Sequence, residues 1–365
     1  MSNSSLVELP PFPATEGRGR GSRERQAQYK AFTDALAKLM NEQYKSGVRW
    51  TTRGWCYDME ESGLGKNDFD SAEKIIVNLR KAGIVPLDAV LEDQAREWSG
   101  FECLDYEDPK DEAGYILRQI SNNIRWYQPI SFWDRQKTFV CMAVEKRDLI
   151  SVFRPVCSEY HVPISNFRGS PDLLSRGKVL REFMKHWEAG RNVVVLYCGD
   201  HDPAGLRMSG DEFTSNFAAL DGTLLEGERL QFNQGLFTVD RFGLNADFIK
   251  SAGLTWNDNL LTSQKDKTKP QDLADPNHPD HFKPYVQDYI KQFGARKVES
   301  NALVRRAEMG KKLCREAIEK YIDPATVKAF ADDLKPLRAA LRDEVIHQLD
   351  DFEVEAEKAE EAETA

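Results

Sequence analysis

The sequence predicts an α/β protein in which a parallel β-sheet follows an N-terminal module of helices. From Thr138 onward, apolar runs of strand length alternate with amphipathic helical segments. This alternation is typical of a parallel sheet with crossover helices. Ahead of it, apolar residues recur at spacings of three and four, which is the spacing of one helix face. The length of 365 residues favours two domains.

The N-terminal module is predicted to contain three helices and then extended chain. The first helix begins near Gln26, and apolar residues as far as Met40 share one of its faces. The other elements are a short helix over "TTRGWCYDMEES" (51–62), a helix over "DFDSAEKIIVNLRKAG" (68–83) that Gly83 caps, and extended chain over "IVPLDAVLED" (84–93). Three helices followed by extended chain suit a winged-helix domain, which we place at 26–135.

The second domain is placed at 136–347 and is predicted to be built around the parallel sheet. Its predicted strands are "TFVCMAVE" (138–145), "VPISNF" (162–167), "NVVVLYC" (192–198) and "GLFTVDRFGL" (235–244). The helices between them are "KRDLISVFRPVCSEY" (146–160) and "PDLLSRGKVLREFMKHWEAG" (171–190). A polar stretch at 257–282 reads as a long loop, and a helical region follows from about Lys283 to His347.

The net charge of −10 is concentrated at one end of the chain. Residues 350–365 contain eight acidic residues and one lysine, a net charge of −7, so the remaining chain carries about −3. A body with so small a net charge can still present a local basic groove. We predict that 348–365 form a disordered acidic tail. Residues 1–25, rich in Pro, Gly, Ser and Arg, are predicted to be disordered as well.

Several classes of protein are disfavoured by composition. No apolar run reaches the length of a transmembrane helix. The first 25 residues lack the apolar stretch of a secretory signal peptide. The six cysteines are scattered and form no CxxC pair, which argues against a zinc site and against a disulfide framework. We therefore expect a cytoplasmic protein without a membrane partner.

Three carboxylates follow two of the predicted strands. Glu145 ends one strand, and Asp200 and Asp202 follow another. Residues i and i+2 of extended chain point the same way, and functional groups gather at the carboxyl ends of parallel strands. An all-carboxylate set suits Mg²⁺ or Mn²⁺. His201, between the two aspartates, should point away, and Asp-Pro-x-Gly is also an ordinary turn signature.

Several segments together resemble a known family. They are "AVEK" (143–146), "FRGSPD" (167–172), "YCGDHDPAG" (197–205), "VDRFGLN" (239–245) and "FGARKVESNAL" (293–303). In this order they are similar to the Toprim domain of the A subunit of DNA topoisomerase VI and its meiotic double-strand-break relatives. The family places a winged helix before its Toprim domain. Its nucleophilic tyrosine lies four residues after an arginine, as in "TTRGWCYDM" (51–59), and the resemblance covers roughly residues 30–325.

The resemblance implies a chemistry and a set of site residues. Tyr57 would attack a DNA phosphodiester, and Arg53 would stabilise the developing charge. Mg²⁺ or Mn²⁺ would be held by Glu145, Asp200 and Asp202. The expected contacts to DNA phosphates are Lys146, Arg168, Arg176 and Lys178.

The resemblance also implies partners. In the family, the tyrosine of one protomer meets the metal site of another, so a homodimer acting on double-stranded DNA is expected. No GHKL-type ATPase motif is found in the chain, which implies a separate ATPase subunit. A DNA substrate implies association with the nucleoid. Two alternatives stay open, a Toprim nuclease that uses water and a DNA-binding dimer without catalysis.

Overall fold

A computed structural model describes residues 9–13, 23–60, 62–65, 68–91, 105–106, 108–167, 173–262 and 270–364. They form a mixed α/β structure with a parallel sheet. They fall into two compact units, one within Met1–Asp93 and Thr138–Tyr321, the other within Gln94–Lys137 and Ile322–Ala365. The domain boundaries expected from the sequence stay a prediction. No helix of the described residues has the length and apolar character needed to cross a lipid bilayer.

The helices of the first unit include all those that the sequence predicts in this part of the chain. They are α1 Arg23–Lys45, α2 Thr52–Glu60, α3 Phe69–Lys81, α5 Arg147–Glu159, α6 Leu173–Glu188, α7 Pro203–Arg207, α8 Phe213–Ala218, α9 Ala246–Ser251, α10 Pro284–Phe293, α11 Ala302–Arg305 and α12 Ala307–Glu319. Gly83 has a φ of +69°, a left-handed conformation that favours glycine, just beyond the end of α3.

The strands of the first unit form one parallel sheet and two small pairs. They are β1 Trp50–Thr51, β2 Val90–Leu91, β3 Thr138–Val144, β4 Ile164–Asn166, β5 Asn192–Cys198, β6 Leu224–Leu225, β7 Glu228–Arg229 and β8 Thr238–Gly243. The sheet has the order β4-β3-β5-β8, and all its strand pairs are parallel. The alternation predicted from Thr138 onward is therefore confirmed.

Burial explains why the central strand is a continuous apolar run. β5 lies between β3 and β8, and all its residues after Asn192 are buried. A strand covered on both faces has no solvent side, so it shows no polar alternation. Helix α6 packs on β5, and a cluster of aromatic rings that includes Phe183, Phe213, Phe217 and Phe237 fills the space beside it.

The N-terminal part differs from expectation in two places. The stretch predicted as extended chain contains a 3-10 helix over Leu87–Ala89, and only Val90–Leu91 pair with Trp50–Thr51, in parallel. Part of the predicted disordered tail is packed, since Leu9 is buried and the Phe12 ring lies 5.1 Å from the Phe32 ring. Predicted disorder therefore does not extend to residues 9–13, because these apolar side chains find buried partners.

The second unit consists of α4 Pro109–Trp126, a 3-10 helix over Phe132–Arg135, and α13 Pro324–Thr364. The rings of Phe132 and Phe330 meet edge to face at 5.4 Å, and Arg135 pairs with Asp333. The sequence predicts disorder for 348–365, whereas α13 continues to Thr364. Alanine and glutamate dominate this stretch and are among the best helix formers.

Candidate functional site

A cavity of about 560 Å³ lies at the carboxyl ends of β3 and β5. It brings together the predicted nucleophile, its arginine, the three predicted metal ligands and one predicted phosphate contact. These are Tyr57, Arg53, Glu145, Asp200, Asp202 and Lys146. Tyr57 precedes Glu145 by 88 residues in the chain, so only the folded chain makes them neighbours.

The register of the sheet sets the two aspartates beside Glu145. β3 and β5 end level, with Val144 opposite Cys198. The Glu145 amide donates to the Cys198 carbonyl at 2.9 Å, which extends the pairing by one residue. The Asp200 amide then donates to Oε2 of Glu145 at 2.8 Å. The carboxylates thus converge because two adjacent parallel strands end at the same edge.

Asp200 is buried, and both its oxygens have partners. Oδ1 accepts from the Ser300 amide at 2.7 Å and from the Ser300 hydroxyl at 2.6 Å. Oδ2 lies 3.0 Å from Nζ of Lys146. Burial alone would lower the pKa of Lys146, but the charges of Asp200 and Glu299 raise it well above its ordinary value. Lys146 is therefore a buried cation held between carboxylates.

Asp202 begins the next helix. Its side chain caps α7, with Oδ1 accepting from the Gly205 amide at 2.6 Å, and Pro203 occupies the first helical position. Burial and the charge of Asp202 raise the pKa of Glu145. Two neighbouring carboxylates of like charge are a favourable place for a cation.

The donor set fits Mg²⁺ or Mn²⁺ in part. Oε1 of Glu145 and Oδ2 of Asp202 accept no hydrogen bond from any residue that the structure describes. Carboxylate oxygens are the ligands these cations prefer. No group of three or more His, Cys, Asp or Glu side chains in the described chain has metal-binding geometry. Lys146 and Ser300 occupy the oxygens of Asp200.

Sequence reasoning missed Glu299 and Lys297. Glu299 forms ion pairs with Lys146 and with Lys297, the latter at 2.7 Å, and all three side chains are nearly buried. The segment 293–303 was recognised as similar to the family, but none of its residues was singled out. The available signal was a lysine and a glutamate two residues apart within a segment that resembles a family motif.

Tyr57 lies on α2, half-buried at the cavity. Nζ of Lys146 is 3.9 Å from the centre of its ring, within the range of a cation–π contact. The ring also meets Phe69 edge to face at 5.4 Å. Burial raises the pKa of the neighbouring Cys56 thiol to about 12, so that side chain is a neutral packing group.

Arg53 lies one helical turn before Tyr57, and its guanidinium group contacts several side chains. Its Nη1 lies 3.4 Å from Oε1 of Glu73, and its guanidinium lies 4.7 Å from the ring centre of Phe69. Burial would lower its pKa, but interactions with Tyr57 and Glu73 raise it. The predicted helper cation is therefore present near Tyr57, together with Lys146.

The predicted phosphate contacts are not gathered in one place. Lys146 lines the cavity but forms ion pairs with Asp200 and Glu299. Arg176 is half-buried on α6 and donates to the Asn216 carbonyl at 3.0 Å, and Lys178 is exposed on the same helix. Neither lines the cavity. Arg168 lies outside the described residues.

Arg147 is a cation of the cavity that the sequence did not single out. It is the first residue of α5, is partly exposed and lines the cavity. Among the described residues it has no ion pair or side-chain hydrogen bond. It is thus available to an incoming anion, whereas Lys146 is not.

The ring of His201 does not line the cavity and lies in an aromatic cluster. Its ring centre is 4.7 Å from that of Phe293 and 5.3 Å from that of Trp256, and Nδ1 is 3.1 Å from the Leu244 carbonyl. Its own backbone pairs with Val298. These contacts hold the peptide between Asp200 and Asp202 in position.

Comparisons of the chain with protein-family models, with curated proteins and with solved structures found no match.

Proposed function

We propose that the protein cleaves DNA by transesterification to Tyr57, with a divalent cation at Glu145 and Asp202. One observation supports this proposal: Tyr57 lines the same cavity as Glu145, Asp200 and Asp202, the three carboxylates that we call the acidic corner. The four-stranded parallel sheet, with its acidic corner after β5, is the part of the fold that we assign to a Toprim domain. The helices α1–α3 would be the winged-helix domain.

The proposed step exchanges one phosphoester for another. The Tyr57 phenolic oxygen attacks the phosphorus of a DNA phosphodiester and forms an O–P bond. One phosphorus–oxygen bond to the sugar breaks, and the phenolic proton ends on the departing strand as a hydroxyl group. No net bond energy is lost, so the step can be reversed to reseal the strand.

The cavity's own residues would prepare this step. Negative charge develops on the phosphate oxygens and on the departing oxygen during this step, and nearby cations stabilise it. Lys146 and Arg53 are the cations next to Tyr57. Arg147 is the cation free to contact the phosphate. A bound Mg²⁺ or Mn²⁺ would neutralise charge developing on the phosphate oxygens.

The metal would be held first by Glu145 and Asp202, whose outer oxygens are available. Oδ2 of Asp200 forms an ion pair with Lys146. Asp200 would bind the metal only if Lys146 moved away from that oxygen. Lys146 and the cation therefore compete for one carboxylate.

The wider assignment follows the resemblance. Two copies acting on the two strands of double-stranded DNA would make a double-strand break, with a separate GHKL-type ATPase subunit driving any passage of strands. The protein would then act at the nucleoid.

A Toprim nuclease is the second candidate, because the open carboxylate oxygens of Glu145 and Asp202 suit metal-activated water as well as they suit a tyrosine. A DNA-binding dimer without catalysis is the third.

The deciding experiment is cleavage of supercoiled plasmid with Mg²⁺ or Mn²⁺, quenched with denaturant and analysed with and without protease. The variants are Tyr57→Phe, Glu145→Gln and, as a matched control, Tyr29→Phe at an exposed tyrosine of α1. We expect protein-linked ends with the wild type and with Tyr29→Phe, and none with the other two.

The other outcomes separate the candidates. Free DNA ends that persist in Tyr57→Phe but vanish in Glu145→Gln would assign a hydrolytic nuclease. DNA binding without any cleavage in either metal would assign a binding protein.

A further inference from the structure

We propose that Arg241 is a positioning residue, which holds in place the turn that presents Asp200 and Asp202 to the cavity. The inference rests on the proposed function, because it concerns the carboxylates that would bind the divalent cation. Arg241 lies on β8, opposite Tyr197 of β5, and does not line the cavity. It would therefore act on the metal site through the backbone, without touching the metal or the DNA.

The guanidinium group of Arg241 donates to groups on both sides of this turn. Before the turn, Nη2 donates to the carbonyls of Gly199 and Asp200, at 3.0 and 2.6 Å. After the turn, Nη1 donates to the Gly205 carbonyl at 2.8 Å and to the Ser209 hydroxyl at 3.1 Å. A guanidinium group is planar and its donors have a fixed geometry. These contacts therefore set the spacing between the end of β5 and the start of α7.

The carbonyl of Asp200 depends on Arg241 for its hydrogen bond. The neighbouring carbonyls of Gly199, His201 and Asp202 each accept from a backbone amide, at 3.0 or 3.1 Å. Among the described residues, the Asp200 carbonyl accepts from Arg241 alone. Asp200 is buried, and a buried carbonyl that loses its donor is unfavourable. Without Arg241, we expect the turn to shift until this carbonyl reaches water or another donor.

Gly205 makes the close approach possible. A Cβ at this position would overlap the Asp200 carbonyl oxygen. The Gly205 amide also donates to Oδ1 of Asp202 at 2.6 Å, while its carbonyl accepts from Arg241. One residue thus connects the guanidinium group to a carboxylate that the metal would use.

A shift of this turn would reach both proposed metal ligands. The Asp200 amide donates to Oε2 of Glu145 at 2.8 Å, and Asp202 follows two residues later. Loss of a residue that orients metal ligands from outside typically weakens metal binding roughly 10- to 100-fold. We expect a loss of this size when Arg241 is replaced.

The charge of Arg241 predicts a change of opposite sign. Arg241 has no ion pair among the described residues, so its positive charge is not cancelled by a neighbouring carboxylate. A positive charge repels a divalent cation, so its removal would by itself tighten Mn²⁺ binding. Weaker binding after removal of this charge therefore distinguishes positioning from an electrostatic effect.

Mn²⁺ binding to the folded protein tests the inference without any need for activity. The free ion is followed by electron paramagnetic resonance, and Glu145→Gln identifies the part of the binding that belongs to the acidic corner. Arg241→Met removes both the donors and the charge, whereas Arg241→Lys keeps the charge but has its donors on a single nitrogen. Arg315→Met is the matched control, because Arg315 binds Glu159 through both Nη atoms and does not line the cavity.

We expect the dissociation constant for Mn²⁺ to rise roughly 10- to 100-fold in Arg241→Met, to rise less in Arg241→Lys, and to stay unchanged in Arg315→Met. Unchanged or tighter binding in Arg241→Met overturns the inference, and so does an equal loss in Arg315→Met, which would mark a global effect. If Arg241→Met does not fold, Arg241→Lys decides in the same way, with weaker binding expected.

Hydrogen exchange of the metal-free protein gives a second readout. We expect the amides of residues 199–206 to exchange roughly tenfold faster in Arg241→Met than in the wild type, because a buried carbonyl has lost its donor. In Arg315→Met the same segment should exchange at the wild-type rate. Unchanged exchange in Arg241→Met overturns the inference.

The two readouts separate failure of this inference from failure of the proposed function. A wild type that binds no Mn²⁺ at the acidic corner, or binds it and cleaves no DNA, removes the proposed function. Hydrogen exchange then still decides whether Arg241 holds the turn.

Discussion

Nζ of Lys146 lies 3.0 Å from Oδ2 of Asp200, and their side chains are only 12% and 8% exposed. Two opposite charges buried together gain from each other and lose the solvation of water. Lys146 also pairs with Glu299, so one ammonium group serves two carboxylates. Lys146 therefore supplies a positive charge that stabilises both Asp200 and Glu299.

Replacing Lys146 with methionine tests this role. The change leaves buried carboxylates short of a partner, so we expect the free energy of unfolding in EDTA to fall by roughly 3–5 kcal/mol. Mn²⁺ should restore part of this loss, because a divalent cation can replace the ammonium group. Urea unfolding with and without Mn²⁺ measures both effects. The control Lys312→Met, at a side chain 79% exposed, should change stability by less than about 1 kcal/mol. A Lys146→Met protein whose free energy of unfolding is the same with and without Mn²⁺ would contradict the expectation.

Gly54→Ala tests the close approach of α2 to α5. The added methyl group would overlap the Asp148 carboxylate, so we expect a loss of about 1–3 kcal/mol in the free energy of unfolding from overpacking. Gly177→Ala is the matched control, a glycine within α6 where the nearest atom to a Cβ is Leu230 Cδ1 at 3.6 Å. That variant should gain up to about 1 kcal/mol from helix propensity. Equal stability of the two variants would show that α2 is free to shift.

Arg147→Gln tests the proposed contact of Arg147 with a DNA phosphate. Arg147 lines the cavity and has no ion pair among the described residues, so its loss should weaken binding of a DNA duplex roughly tenfold. The slope of log affinity against log salt should fall by about 0.9, the value for one phosphate contact. Fluorescence anisotropy over a salt series measures both. Arg154→Gln, exposed on the same helix, is the control and should leave affinity and slope unchanged. An unchanged slope in Arg147→Gln would remove Arg147 from the DNA contact.

The pair Glu159–Arg315 predicts a pH dependence of stability. Arg315 donates to both oxygens of Glu159 at 2.8 Å, and this lowers the pKa of that carboxyl below 4.5. A depressed folded pKa contributes stability above the unfolded pKa, and this contribution is lost as the pH falls through the folded pKa. Because the side chains are 40% and 49% exposed, the contribution is below about 1 kcal/mol.

The measurement compares Glu159→Gln with the wild type in urea at pH 7 and pH 3. We expect a small difference at pH 7 that shrinks at pH 3. The control Glu42→Gln, exposed on α1, should match the wild type at both values. A difference that grows on acidification would show that the ion pair does not stabilise the fold.

Much of the sheet and of its acidic corner could be read from the chain alone. The apolar run of β5 and the pair Asp200 and Asp202 after it are local patterns. Burial on two faces removes polar residues from a strand, and Asp-Pro-x-Gly favours a turn. A short helix over 51–62 was also predicted, and α2, which carries Tyr57, lies within it. The prediction of disorder for 348–365 is wrong as far as residue 364, because the helix propensity of Ala and Glu outweighs the repulsion within a run of like charges.

The sequence patterns do not predict which distant residues these side chains contact. Lys146 was expected to face DNA, yet it pairs with Glu299, 153 residues later in the chain. Thr51 and Asp148, 97 residues apart, hold the start of the tyrosine helix against α5. Periodicity reports which face of an element is buried, because burial follows from each residue's own polarity. It carries no information about which distant side chain fills the space opposite, because that choice depends on how the whole chain packs.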